Sequence, residues 1–594
     1  MTNTAEINNY FFLEVATTGS VLNDSVNSMS IDGCAISYSF GDHTPLTIHN
    51  KADDIFFVIG HPSFDNIINN EKFISKYSEG TKSESFLSKI NGEFLIIEFN
   101  KIKQNVRVVN SRFASPIAFY YQSESRFVLS TSYFYILSFL IKNSLTKIKS
   151  EAMYELLRFR RLFNDHTYDT KSKYLPASSL LTWNKALSIK RYYSFTYDKN
   201  DYTLSDNADK LVALLKKSIE YKTSDQKRFG IMQSGGLDTR LLLANFDVPP
   251  HAYTVTYSQN REYEVAKKLV DFKGGGHTWL QVYNGQYKDN IEKSSRVIGG
   301  MHQADCMFYG HENKIRSYSD VIFAGYGMDY FFQGMYLPSR MYSILGEPIP
   351  WYKTLAKFNE DLPSYFIKNI SYQTKGADIR SLMNTSQQNT MNEWIEYSIN
   401  KLYKDSKKLS DNVYDVYEHM SLGDSSRHYT YGGQLAKMEI EEYRTIANTN
   451  EILSHYTSIP VDQRFDGRIT REALKISDIR FYDLISANHG YPASYSSFQR
   501  SLAHIWKHFP ERIGIKKKKR EFERTWLEGD QIMKTELYER IISLKDSSVL
   551  HNLNIVDMDK LNIAINNWDK NKLKGGQTFM TLLTLDLFFS QILK

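Results

Sequence analysis

The chain has 594 residues, of which 42% are hydrophobic, 24% are charged and 14% are aromatic, and its net charge at pH 7 is +6. These fractions are typical of folded globular proteins and exclude long disordered regions. So weak a charge on so long a chain does not indicate nucleic-acid binding, although it is compatible with a small phosphate-bearing ligand.

The chain contains two cysteines, Cys34 and Cys306. This number excludes a disulfide framework and a cysteine-rich zinc or iron–sulfur site, and it fits a reducing compartment. The first residues lack the cationic start and apolar run of a signal peptide, and no stretch approaches about 18 uninterrupted apolar residues. Residues 578–593 have apolar side chains at near-helical spacing and carry Asp586, which predicts a packed amphipathic helix. We therefore expect a cytoplasmic protein without a membrane span.

The first 195 residues are predicted to be rich in β-strands. Short β-branched or aromatic runs, among them YFFLEV, DIFFVIG, EFLIIEF and RFVLST, are separated by polar turns. From residue 208 onward, helical patterns alternate with short apolar runs such as RFGIMQ, HAYTVTY and VIFAG, which indicates a doubly wound parallel sheet. After residue 338 the pattern is mostly helical. We therefore expect an α/β protein with domains at residues 1–195 and 207–594, joined by the polar stretch 197–206.

The sharpest local signal is a glycine-rich turn between the apolar run FGIMQ and the leucine-rich run RLLLANF. Two adjacent glycines let backbone N–H groups approach an anion, and the helix N-terminus favours negative charge. An aspartate within such a turn would repel phosphate unless a divalent cation lies between them, which indicates magnesium pyrophosphate. The predicted phosphate-binding residues are Ser234, Gly235, Gly236, Leu237, Asp238 and Thr239.

A second turn, Gly-Tyr-Gly-Met-Asp at residues 325–329, follows the predicted strand VIFA. Gly325 and Gly327 would open the backbone at the carboxyl edge of the sheet, where doubly wound folds bind their ligands. Asp329 would then face Asp238. Two aspartates from two strand ends can share Mg²⁺ with pyrophosphate oxygens, so both are predicted metal ligands.

SGGLDT closely resembles the SGGxDS pyrophosphate loop of ATP pyrophosphatases, and the chain as a whole resembles the class B asparagine synthetase family. Further segments agree in the family's order, although the Asp and Gly of its R-D-x-x-G pattern are absent: INGEF at 90–94, RFASPIAFYY at 112–121, LPA at 175–177, KRYY at 190–193, GYGMD at 325–329, EYR at 442–444 and NEIL at 450–453. The resemblance implies an N-terminal glutaminase-like (Ntn-type) β-sandwich, a C-terminal ATP-pyrophosphatase domain with a helical C-terminal part, and ATP with Mg²⁺ as cofactors.

Two departures from the family concern glutamine. Members that use glutamine expose an N-terminal Cys as nucleophile, whereas position 2 here is Thr2, and the strand that would hold glutamine reads FVIGHP at 57–62. An N-terminal Thr is a nucleophile in some hydrolases, so Thr2 stays open as a minor alternative. We expect a vestigial glutaminase-like domain that does not hydrolyse glutamine and that is reused for substrate docking.

Tyr326 stands where asparagine synthetases carry Glu, and in this the chain resembles β-lactam synthetase and carbapenam synthetase. A phenol beside a carboxylate can relay a proton from an attacking amine; Glu360 and Asp424 are the candidates for that carboxylate, and an aromatic packed beside the ATP site is the alternative. The run KKKKR at 516–520 resembles the segment that carries the family's catalytic lysine. Counting forward from Pro510 selects Lys518, and counting back from Phe522 selects Lys519. The selected lysine would stabilise charge on the adenylate and the leaving pyrophosphate.

These features predict an AMP-forming amide synthetase that adenylates a small-molecule or peptide carboxylate and couples it to an amine, as in lactam formation or in lasso-peptide macrolactam formation. Alternatives are amidation by ammonia, either of a uronic acid on a surface polysaccharide or of aspartate, and a pseudoenzyme scaffold. We expect neither nucleic acid nor membrane as partner. A homo-oligomer, or association with partner proteins of a biosynthetic pathway, stays open.

Overall fold

The structure is a computed structural model that describes residues 7–17, 22, 27–31, 34–344, 347–503 and 529–593. Residues 11–191 contain two antiparallel six-stranded sheets, in the orders β10-β8-β9-β1-β3-β2 and β12-β11-β7-β6-β5-β4. Their strands are β1 Phe11–Ala16, β2 Asn27–Ile31, β3 Cys34–Phe40, β4 Leu46–Lys51, β5 Asp54–Gly60, β6 Phe94–Asn100, β7 Asn105–Asn110, β8 Phe119–Gln122, β9 Arg126–Ser130, β10 Lys173–Tyr174, β11 Ser179–Asn184 and β12 Ala186–Arg191.

The two sheets enclose an apolar core because alternate residues of their strands point to opposite faces. On β1, Phe11, Leu13 and Val15 lie in the cluster between the sheets, together with Trp183 of β11, whereas Phe12 packs in the cluster on the other face. Helices flank the sheets at α1 Asn70–Glu79, α2 Glu84–Leu87, α3 Tyr133–Lys142 and α4 Glu151–Phe159.

A five-stranded parallel sheet follows, in the order β15-β14-β13-β16-β19. Its strands are short and mostly buried apart from the edge strand His277–Gln281, as expected for a parallel sheet that helices cover on both sides. They are β13 Phe229–Met232, β14 His251–Thr256, β15 His277–Gln281, β16 Val321–Ala324 and β19 Glu442–Thr445, and a separate hairpin is formed by β17 Ser339–Ile344 and β18 Glu347–Leu355.

Most of the remaining described chain is helical. A capping box formed by Thr203 and Asp206 begins α5, and Gly274, in the left-handed region at φ +68°, ends α7. The helices are α5 Leu204–Lys222, α6 Asp238–Asn245, α7 Arg261–Lys273, α8 Gln286–Val297, α9 Glu312–Arg316, α10 Met328–Phe332, α11 Leu362–Asn369, α12 Thr385–Lys407, α13 Val413–Leu422, α14 Tyr431–Ile440, α15 Asn450–Ser458, α16 Val461–Arg464, α17 Arg468–Ser477, α18 Ile479–Asp483, α19 Gly529–Thr535, α20 Tyr538–Ser543, α21 Ser548–Leu553, α22 Met558–Asp569 and α23 Gly576–Ile592.

The predicted mixed α/β class is confirmed, whereas the division into domains at residues 195 and 207 stays a prediction. The helix α23 differs from the predicted amphipathic helix, because it is buried along most of its surface from Thr578 to Phe589. The Ser547 hydroxyl donates to Asp586. Such an all-round apolar helix belongs to a large core. In the part of the chain that the structure describes, no helix is both long and apolar enough to cross a membrane.

Candidate active site

The order of the parallel strands creates a crevice beside β13. The chain runs outward from β13 through β14 to β15 and then returns to place β16 on the other side of β13. At such a switch point the loops after the two central strands diverge, and ligands of open α/β sheets bind there, at the carboxyl ends. The loop before α6 follows β13, and the turn before α10 follows β16. The two predicted motifs therefore flank one crevice.

The first loop is held by its own side chains. The Gly236 N–H donates to Ser234 Oγ at 3.2 Å, and Ser234 Oγ lies 3.0 Å from Thr239 Oγ1. A Cβ on Gly235 would lie 2.4 Å from the Ala487 Cβ, so this close approach requires glycine. The first turn of α6 leaves N–H groups without intrahelical acceptors, which with the helix dipole favours an anion.

Asp238 and Asp329 meet at the start of α6 and α10. The Gln333 Nε2 donates to Asp238 Oδ1 at 2.5 Å and so ties the end of α10 to the first loop. A Cβ on Gly325 would lie 2.7 Å from the Asp238 Cβ, and Gly327 has φ +92°, so both glycines are required where they stand. The predicted approach of the two loops is therefore present.

The two carboxylates fit a shared divalent cation. Burial and the charge of Asp329 raise the pKa of Asp238 well above its usual range, and burial raises the pKa of Asp329 to about 6. A cation between them would remove this repulsion. Among the described residues, no group of three or more His, Cys, Asp or Glu forms a metal cluster. A two-carboxylate set suits Mg²⁺, which takes its other ligands from water and phosphates.

Glu262, in the first turn of α7, contacts the first loop. Its Oε1 accepts the Gly235 N–H at 2.7 Å, so the carboxylate braces the first loop from α7. The Glu262 side chain also borders a cavity of about 330 Å³ at the strand ends, which Ser234, Met307, Phe308 and Ala324 help to line. This volume lies within the range of small-ligand pockets.

Tyr326 is buried beside the second loop. Its hydroxyl donates to the Ser425 carbonyl at 2.6 Å, and its ring packs edge-on against Tyr330 with centroids 5.4 Å apart. Burial raises the pKa of this phenol. These contacts serve packing, and the role of Tyr326 as a proton relay stays a prediction.

The two carboxylates expected beside Tyr326 have other partners. Glu360 pairs with Lys368 at 2.5 Å. Asp424 accepts hydrogen bonds from the Tyr174 hydroxyl at 3.1 Å and from the Ala177 N–H at 2.9 Å. These contacts are with other residues, so the expected carboxylate partner of Tyr326 stays a prediction.

Three of the predicted residues, Thr2, Lys518 and Lys519, lie outside the described residues. Cys34 is described and is fully buried in the core between the two antiparallel sheets. Burial raises the pKa of its thiol to about 11. A thiol with so high a pKa supplies little thiolate and is a poor nucleophile.

Several segments that carry the family resemblance meet where the antiparallel sheets pack against the parallel-sheet half. Glu93 accepts the Thr445 N–H and the Asn448 Nδ2 hydrogen, both at 2.9 Å, and lies 3.6 Å from Lys222 Nζ. Asn91 accepts the Asn450 N–H at 2.8 Å. These motif residues join the two halves of the chain, a role that their local pattern did not reveal.

The chain was compared with curated proteins, solved structures and protein families, and one family match includes the crevice. No curated protein matches the chain. Two solved structures are similar at 8% identity and a TM-score of 0.19, which carries no argument: glutamine phosphoribosylpyrophosphate amidotransferase from B. subtilis complexed with ADP and GMP, and an allosteric regulatory enzyme of purine biosynthesis. The matches cover 46% and 53% of this chain, and 60% and 69% of those chains, so less than two thirds of the first is spanned. Residues 210–475, less than half of the chain, match the asparagine synthase family, and this matching segment contains both crevice aspartates.

Proposed function

We propose that the chain is an ATP-dependent amide synthetase that adenylates a substrate carboxylate and couples it to an amine without hydrolysing glutamine. The observation that carries the proposal is the meeting of Asp238 and Asp329 at the switch point of a parallel sheet, beside a glycine-rich anion loop. The family match over the same segment supports ATP-dependent amidation.

In the first step, the substrate carboxylate attacks the α-phosphorus of ATP, forming an acyl-adenylate and releasing pyrophosphate. The loop of residues 234–239 and the first turn of α6 would bind the phosphate chain through backbone N–H groups. Asp238 and Asp329 would hold Mg²⁺, which when bound neutralises charge on the pyrophosphate oxygens. The cavity lined by Met307 and Phe308 would receive the nucleoside.

In the second step, the amine attacks the acyl carbon and AMP leaves. Tyr326 remains the proposed proton relay, and its hydroxyl would have to release the Ser425 carbonyl to act. Lys518 or Lys519 remains the proposed cation for the adenylate charge, on the strength of the sequence pattern.

The described part of the N-terminal half supports independence from glutamine. Its inter-sheet core is filled by apolar side chains, and its cysteine, Cys34, is buried with a raised pKa. The amine would then belong to a substrate, as in lactam or peptide macrolactam formation in specialised metabolism. A pseudoenzyme scaffold would have no use for two buried, mutually repelling carboxylates, which cost stability without a cation.

Product analysis tests this function. Purified protein is incubated with α-labelled ATP, Mg²⁺ and a panel of carboxylic acids and amines, and ATP–pyrophosphate exchange is measured in parallel. AMP and pyrophosphate are the expected products, and the Asp238→Asn variant is the matched control that should form neither. Formation of ADP and phosphate would contradict the assignment.

A further inference from the structure

A second cavity of about 480 Å³ adjoins the proposed nucleotide cavity. The two share part of their lining, namely Asp305, Met307, Phe308 and Lys437. Of the described residues around the second cavity, the charged ones are Arg160, Asp305 and Lys437. A ligand that extends from the nucleotide site into this space would therefore meet two cations and one anion.

Arg160 comes from the N-terminal half of the chain. It caps the end of α4 in the left-handed region, at φ +56° and ψ +20°, where glycine or asparagine is the usual choice. Its Nε donates to the Tyr372 carbonyl at 3.1 Å, and its guanidinium carbon lies 4.5 Å from the centre of the Tyr429 ring. It also shares a side-chain hydrogen bond with Tyr429, and the described groups that act on its charge are tyrosines and not carboxylates. Since a guanidinium has five N–H donors, some remain for a ligand.

Lys437 lies at the junction of the two cavities and is 6% exposed. Its Nζ donates to the Gly433 carbonyl at 2.9 Å and lies 4.1 Å from the centre of the Phe308 ring. Burial lowers its pKa to about 8, partly opposed by the charge of Asp305. Within the described chain no carboxylate lies at ion-pair distance, and a buried cation without a partner is costly unless a ligand supplies the anion.

Asp305 offsets part of this positive charge but is already engaged. Its Oδ1 accepts the Tyr287 hydroxyl at 2.9 Å and the Met307 N–H at 3.1 Å. The two cations also differ in position, because Lys437 borders both cavities whereas Arg160 borders the second cavity and not the nucleotide cavity. The lining thus provides one cation at the junction of the two cavities and one away from it.

We propose that the second cavity binds the carboxylic acid substrate and that Arg160 holds a second anionic group of it, while Lys437 meets the carboxylate to be activated. The substrate class is an organic dianion whose second group is a carboxylate or a phosphate, both of which a guanidinium binds with paired hydrogen bonds. The identification of this ligand as the substrate rests on the proposed function. The N-terminal half then determines substrate selection, through a residue placed by α4.

Equilibrium binding without ATP tests the proposal separately from catalysis. The probes are the linear dicarboxylates from succinate to adipate, the monocarboxylates of equal length, and 3-phosphoglycerate to distinguish phosphate from carboxylate, all measured by isothermal titration calorimetry at low salt. We expect the unmodified protein to bind its best dianion about 10- to 100-fold more tightly than the matching monoanion, as one charge-assisted pair would provide. If the unmodified protein prefers the dianion but catalyses no ATP–pyrophosphate exchange, the result would count against the proposed function and not against this binding site.

Variants assign the preference to its residues. Arg160→Gln should remove the preference for dianions, and Lys437→Met should weaken the binding of dianions and of monoanions alike. Arg158→Gln is the matched control, because Arg158 lies on the same helix and also contacts a backbone carbonyl, that of Ile367, but does not line the cavity. If Arg160→Gln does not fold, Arg160→Lys, which keeps the charge without the paired donors, should show an intermediate preference. Equal binding of monoanions and dianions, no binding of any probe, or a preference unchanged by Arg160 substitution would overturn the proposal.

Discussion

Gln333 and Asp238 form a 2.5 Å hydrogen bond that connects the two loops of the crevice. The Gln333 amide donates to the Asp238 carboxylate, which is also repelled by the negative charge of Asp329. The bond therefore keeps Asp238 in place without a cation, at the position where the proposed chemistry needs a metal ligand.

Asp238→Asn should abolish pyrophosphate exchange through loss of the metal ligand while leaving the fold intact. Because the substitution also removes the repulsion with Asp329, the metal-free variant should melt at the same temperature as the unmodified protein or above it. Thermal unfolding in a chelator and exchange in Mg²⁺ measure the two effects. A clear drop in melting temperature would assign Asp238 to structure instead.

Tyr326→Phe should retain pyrophosphate exchange but slow amide formation by about 10² to 10⁴, as expected for loss of a proton relay. The two rates are measured with the same substrate pair. Full amide-forming activity would assign Tyr326 to the packing that its contacts already serve, and equal loss in both assays would mean that it shapes the ATP site.

Replacing Lys518 and Lys519 together by Ala should depress pyrophosphate exchange and amide formation together, by about 10² to 10³, because a preorganised charge on the adenylate and pyrophosphate is removed. The single variants then show which lysine acts. Unchanged exchange in the double variant would exclude both residues from the first step.

Glutamine should not serve as a nitrogen donor. Incubation with glutamine should yield no glutamate above the uncatalysed background, and Cys34→Ser should leave amide synthesis unchanged, because the Cys34 thiol is buried with a pKa raised to about 11. Glutamate release that disappears on replacement of Thr2 would contradict this prediction and identify Thr2 as a nucleophile.

Glu442→Gln should lower the free energy of unfolding at pH 7 by about 1 to 3 kcal/mol. Burial raises the pKa of Glu442, but the hydrogen bond from His61 at 2.7 Å and the charges of Arg444 and Lys227 together bring it below its usual value. A carboxylate with a depressed pKa stabilises the fold above its unfolded-state pKa, and this contribution is lost as the pH falls through the folded-state value. The difference between variant and unmodified protein should therefore shrink below about pH 4. A difference that is constant from pH 3 to pH 7 would contradict the ion pairing.

Local patterns were sufficient for the α/β class and for the two loops of the crevice. A strand, a glycine-rich turn and a helix are consecutive in the chain, so residues 234–239 and 325–329 could be placed without knowledge of the rest of the fold. The carboxyl ends of parallel strands lie on one edge of the sheet, which made the approach of Asp238 and Asp329 predictable as well.

Contacts between residues distant in the chain were decided by the tertiary structure. The bond between Glu262 and Gly235, the surroundings of Tyr326 and the cavity shared by Arg160 and Lys437 depend on how separate elements pack, and no periodicity within one element encodes that packing. The same holds for α23, whose apolar pattern fits an amphipathic helix until the neighbours that bury its whole circumference are known. Propensity and spacing act over a few residues, whereas burial and charge pairing depend on the complete fold, so the second cavity could be recognised only in the folded chain.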